Sequence, residues 1–111
     1  MERTLTKSTP TRVGEEVRVM GWVNVRRDHG KLIFIDVRDR GGILQVIFNP
    51  QVSPEAHQVA TTLKNEDVVE IKGKINARPE KLVNPKIASG TVELEATELT
   101  VVAHAAPLPF D

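Results

Sequence analysis

Residues 31–48 read KLIFIDVRDRGGILQVIF, and this stretch decides the fold. Ile33, Ile35 and Val37 alternate with Leu32, Phe34, Asp36 and Arg38, the period of a strand with one β-branched face buried. Arg40-Gly41-Gly42 supplies a turn, and residues 43–48 (ILQVIF) form the next strand, so the segment predicts a hairpin. Asn49-Pro50 ends it.

Working outward, residues 17–26 (VRVMGWVNVR) place Val17, Val19, Val23 and Val25 on the inner face of an earlier strand. Downstream of the hairpin the period changes. Ser53 suits an N-cap, Pro54 the first helical position and Glu55 the first turn. Ala56, Val59, Ala60 and Leu63 then share one face of a short helix over 53–65. Residues 67–77 return to strand, with Val69, Ile71, Ile75 and Ala77 in phase and Gly73 marking a bulge or bend. Residues 79–90 (PEKLVNPKIASG) predict a long loop. A last strand over 91–102 holds Val92, Leu94 and Ala96 in register, then Leu99 and Val101 after a slip. Residues 105–111 (AAPLPFD) read as the start of a linker, which leaves one domain over 1–104.

Five strands with one helix between the third and fourth predict an all-β fold, a five-stranded Greek-key barrel of the OB type. A sandwich would need more strands, and a Rossmann-type sheet a helix after nearly every one. OB barrels hold oligonucleotides across strands two and three, between the loops joining strands one to two and four to five. Here those loops are expected at 27–30 and 79–90.

The chain has 111 residues, enough for one ordinary core. It has no cysteine, hence no disulfide or thiolate zinc site, which agrees with a reducing, cytoplasmic setting. Apolar runs fall far short of the roughly 20 residues that span a bilayer, so no membrane is expected. Fifteen basic residues balance fifteen acidic ones, and at face value that neutrality argues against a nucleic-acid partner. The balance is local, however: residues 1–50 hold nine basic and six acidic residues, and residues 51–111 the reverse. A basic surface on the early strands can hold phosphates within a neutral domain.

Phe34 is the most informative position, because it lies on the face opposite Ile33, Ile35 and Val37. It either offers a flat surface for a splayed base or packs beneath a loop. Gln45 falls on the same face one strand over, and its amide can both donate to and accept from a base edge. Arg26 and Arg27 stand at the first loop, Arg78 where the fourth strand enters the long loop, and Glu93 near the start of the last strand. A carboxylate there can accept from the N1–H and exocyclic amine of guanine. His29, His57 and His104 have no metal-ligand spacing, and His57 reads as a surface residue. No phosphate loop, nucleophile elbow or carboxylate pair predicts a catalytic site or a metal.

The run Gly21-Trp22-Val23-Asn24, Arg26 to Gly30, Leu32 to Arg40 and Gln45-Val46 resembles the N-terminal anticodon-binding domain of bacterial aspartyl-tRNA synthetases. The resemblance continues through Arg78-Pro79-Glu80, Asn84-Pro85, Ser89-Gly90 and Pro107 to Phe110, nearly the whole chain. It implies a class II enzyme that activates aspartate with ATP and magnesium and works as a cytoplasmic homodimer. The catalytic part lies outside this chain, and no cofactor is implied for the domain itself, which is expected to be monomeric alone. The implied partner is tRNA(Asp), with Phe34 under the central anticodon uridine and Glu93 facing the first base. Gln45 is an implied reader, Arg27 an implied contact to the anticodon stretch, and Arg78 and Asn84 flank the closing loop. His29 tends in this family to accompany enzymes that also charge tRNA(Asn), which leaves a second partner open. Two other readings of the barrel also stay open: a general single-strand binder and a protein-interaction module.

Overall fold

Alternating β-branched residues need cover for one face of every strand, and a single small sheet supplies it by curling onto itself. In a computed structural model, which describes residues 3–79, 82–83, 85 and 89–104, it does so. The strands are β1 (Glu16–His29), β2 (Leu32–Asp39), β3 (Gly42–Phe48), β4 (Val68–Ala77) and β5 (Val92–Ala103), with helix α1 (Pro54–Ala60) between β3 and β4. They close as a barrel in the order β1-β2-β3-β5-β4, antiparallel except for a short parallel β3–β5 ladder. This is the expected OB-type barrel.

Ile33, Ile35 and Val37 of β2 meet Leu44, Val46 and Phe48 of β3 inside the barrel, all buried. Val92, Leu94 and Ala96 of β5 are buried as predicted, and Leu99 and Val101 pack against the core after a slip. That slip falls at Gly73, where the β4–β5 register passes from Lys72↔Glu98 to Gly73↔Ala96. A Cβ on Gly73 would lie 2.2 Å from the Glu95 carbonyl oxygen, so only glycine lets the strands approach there.

Five expectations are corrected. Val25 does not face inward: the β1–β2 register passes from Val23↔Val37 to Val25↔Asp36, Asn24 is the extra residue of a bulge, and alternation flips beyond it. The first loop is not 27–30, because Arg27, Asp28 and His29 pair with Phe34, Ile33 and Leu32, and only Gly30-Lys31 turns the chain. Gly30 takes φ 63°, the left-handed conformation such a hairpin needs. Helix α1 ends at Ala60, where the Thr61 and Thr62 hydroxyls donate back to the Gln58 and Val59 carbonyls. Val59 is 37% exposed, although Ala56, Ala60 and Leu63 are buried. Ser53 holds the N-cap position, but its hydroxyl donates to the Thr97 carbonyl and caps nothing.

A 3₁₀ helix over Thr6–Thr11 is an element the pattern did not announce. It is fastened by buried Asp39, which accepts from the Thr6 amide (2.9 Å), the Thr6 hydroxyl (2.8 Å) and the Gly41 and Gly42 amides. No helix among the described residues is long and apolar enough to cross a membrane. Asn84 and the linker reading at 105–111 lie outside the described residues.

Candidate functional site

Cross-strand partners share a face of the sheet, so the register lays out the outer surface of β1, β2 and β3 in rows. One row is Arg27, Phe34 and Ile47; the next is Val25, Asp36 and Gln45. The bulge at Asn24 brings Arg27, and not Arg26, beside Phe34. Without that extra residue the pairing that begins at Val23↔Val37 would set Arg26 across from Phe34.

Phe34 lines a cleft of about 660 Å³ together with Arg27, Asp28, His29, Gln45, Arg78 and Leu82. It is half-buried, and the His29 ring meets it edge-on with centroids 6.4 Å apart. An aromatic in such a groove, rimmed by arginines and an amide, offers a π-face to a flat ligand and donors to phosphate or base edges.

Four polar side chains run across the barrel wall as a chain. Arg27 donates from Nη1 and Nη2 to the Asp36 carboxylate (3.2 and 3.1 Å), and from Nη2 to Gln45 Oε1 (3.3 Å). Gln45 Nε2 then donates to Glu93 Oε1 (3.3 Å). Burial pushes the Glu93 carboxyl above the usual carboxylate range, against the opposing pull of Arg78 and the Gln45 hydrogen bond. Arg78 donates to the Val92 carbonyl (3.1 Å) and the Leu82 carbonyl (3.1 Å), which ties the segment after β4 to the start of β5.

The structure thus gathers Phe34, Gln45, Glu93, Arg27, Arg78 and His29 on one surface. It does not bring Arg26 there. Arg26 donates to the Thr61 and Leu63 carbonyls (2.9 and 3.0 Å) beyond α1 and pairs with Asp28, which is held below the usual carboxylate range by that hydrogen bond. His57 also serves packing, its Nε2 lying 2.7 Å from the Lys31 carbonyl oxygen. Three residues of the site went unnoticed in the sequence. Asp36 was detectable, since it shares the period of Phe34; Asp28, in the expected first loop, and Leu82, in a segment of no period, gave no signal. Among the described residues no cluster of His, Asp or Glu suits a metal.

A small closed barrel with a half-buried aromatic on strand two, an amide on strand three and arginines on strand one and just after strand four is the form of a nucleic-acid-binding domain. The chain belongs to the family of OB-fold nucleic acid binding domains, which it matches over residues 17–102. It is 51% identical over 98 residues to the aspartate–tRNA(Asp/Asn) ligase of Thermodesulfovibrio yellowstonii, covering 88% of this chain and 16% of that protein. It is likewise 51% identical over 100 residues to the aspartate–tRNA ligase of Listeria welshimeri, covering 90% of this chain and 17% of that one. The chain therefore spans about a sixth of the length of these curated relatives. The crystal structure of asparaginyl-tRNA synthetase from Pyrococcus horikoshii, complexed with asparaginyl-adenylate, superposes with a TM-score of 0.80 at 26% identity, covering 98% of this chain and 24% of that one.

Proposed function

We propose that this domain reads a tRNA anticodon for an aspartate–tRNA ligase. The observation that carries the reading is the half-buried Phe34 in its cleft, with Arg27 and Gln45 within the same wall. The central anticodon base stacks on Phe34, Glu93 accepts from the guanine edge of the first base, and Arg27 and Arg78 meet the rim of the loop. The whole enzyme uses ATP and magnesium to activate aspartate, acts as a cytoplasmic homodimer, and takes tRNA(Asp) as substrate. None of the residues assigned here handles the nucleotide or the metal.

Phe34→Ala should weaken binding of an anticodon stem-loop by roughly 1–3 kcal/mol while leaving the thermal midpoint nearly unchanged. Unchanged affinity would remove the stacking role. A general single-strand binder would show no preference for a central uridine, and a protein-interaction module no competition by tRNA. His29 at the cleft and the relative that acts on both tRNAs support tRNA(Asn) as a second substrate. Aminoacylation of both transcripts by the whole enzyme tests that extension; a strong preference for tRNA(Asp) would overturn it.

A further inference from the structure

We infer that Asp36 is a positioning residue that, through Arg27, sets which pyrimidine edge the Gln45 amide accepts. The inference rests on the anticodon reading above. A glutamine amide presents an oxygen and a nitrogen of nearly equal size, so turning it over exchanges acceptor for donor at no steric cost. Uracil shows a carbonyl beside N3–H, whereas cytosine shows an amino group beside a bare N3. One amide orientation therefore complements uracil, and the flipped one complements cytosine in the same place. Discrimination needs the amide held one way.

Two neighbours hold it. Arg27 Nη2 donates to Oε1, and Glu93 Oε1 accepts from Nε2. A flip would set the NH₂ against the guanidinium and the oxygen against the carboxylate. These bonds use one lone pair and one N–H of the amide, leaving one of each for a base. Glu93 holds only the amide nitrogen; the oxygen is held by the guanidinium, a group that can only donate.

Arg27 itself is a long side chain that is 50% exposed, and such a chain would ordinarily sample several rotamers. Asp36 removes that freedom. Its two oxygens take two N–H groups in the paired geometry that fixes a guanidinium plane. It is also less exposed than its partner, 22% against 50%, and stands directly across from Gln45 in the β2–β3 register.

The test measures dissociation constants for anticodon stem-loops that differ only in uridine or cytidine, one anticodon position at a time. The wild-type domain should prefer one pyrimidine at one position. Asp36→Asn should shrink that preference by about fivefold or more, with a smaller change in affinity for the preferred loop. Arg27→Ala should relax the same position, and adding Asp36→Asn to it should relax it no further. A residue that merely supported the fold would weaken both loops alike, and thermal unfolding of each variant reads that contribution separately. An unchanged preference in Asp36→Asn, additive effects in the double variant, or a wild type that binds both pyrimidines equally at every position would each overturn the inference. If Phe34→Ala also leaves every affinity unchanged, the anticodon reading fails with it; if Phe34→Ala weakens binding, that reading stands and only the role of Asp36 falls.

Discussion

Glu93, the base reader in the proposed function, illustrates how a residue kept for recognition would work against the domain that carries it. Its folded pKa is raised above the unfolded value, so the full cost of burying the charge is present at pH above both values. As pH falls through the raised value, the folded form protonates first and that cost is relieved. Glu93→Gln should therefore raise the thermal midpoint at pH 7, with the advantage fading on acidification through the carboxylate range, and should abolish discrimination of guanine at the base it faces. A lower midpoint at pH 7 would contradict this account of the site. The adjacent arginines separate in the same way. Arg26→Ala should cost roughly 1–2 kcal/mol of stability by freeing the carbonyls beyond α1, yet leave RNA affinity nearly intact. Arg27→Ala should do the reverse. Phe34, Gln45 and Glu93 were legible because a two-residue period fixes which face each occupies. The difference between Arg26 and Arg27 was not, because it depends on one unpaired residue, Asn24, whose bulge leaves no mark in the pattern.

Strands were more legible than their junctions. The inward positions of β2, β3 and β5 follow from alternation alone, and Gly73 announced its bulge because a glycine within an apolar strand signals close backbone approach. Gly73→Ala should destabilise the domain by roughly 1–3 kcal/mol, since the new methyl meets a carbonyl oxygen of the facing strand. Equilibrium urea unfolding would measure it. The 3₁₀ helix and the early end of α1 were not legible. Both depend on single hydroxyl and carboxylate hydrogen bonds between segments far apart in sequence or within one turn, and no periodicity reports these. Asp39 joins two such segments. Replacing it with alanine should cost about 3 kcal/mol, because the buried amide of Thr6 and the partly buried amides of Gly41 and Gly42 lose their carboxylate acceptor. A loss below about 0.5 kcal/mol would show that the N-terminal helix contributes little to the barrel.

At the scale of the whole domain, zero net charge reads as economy of phosphate contact. Arg27 is committed to Asp36 and Gln45, and Arg78 to backbone carbonyls, so both position as much as they attract. Binding of a stem-loop should therefore depend on salt weakly, with a slope of log affinity against log salt of about −0.7 to −1.4, one or two phosphates on a single strand. A steep slope would place the RNA on a more basic surface than this cleft. The barrel and the cleft's location were readable from strand order; what the bases meet inside it required the register. The most direct test of the central claim is a titration of the ¹⁵N-labelled domain with an aspartate anticodon stem-loop, followed by amide chemical shifts. The largest changes should fall on Arg27, His29, Phe34, Gln45, Arg78 and Glu93. Saturation with those amides unmoved, or with the changes gathered around α1 and Lys64, would contradict it.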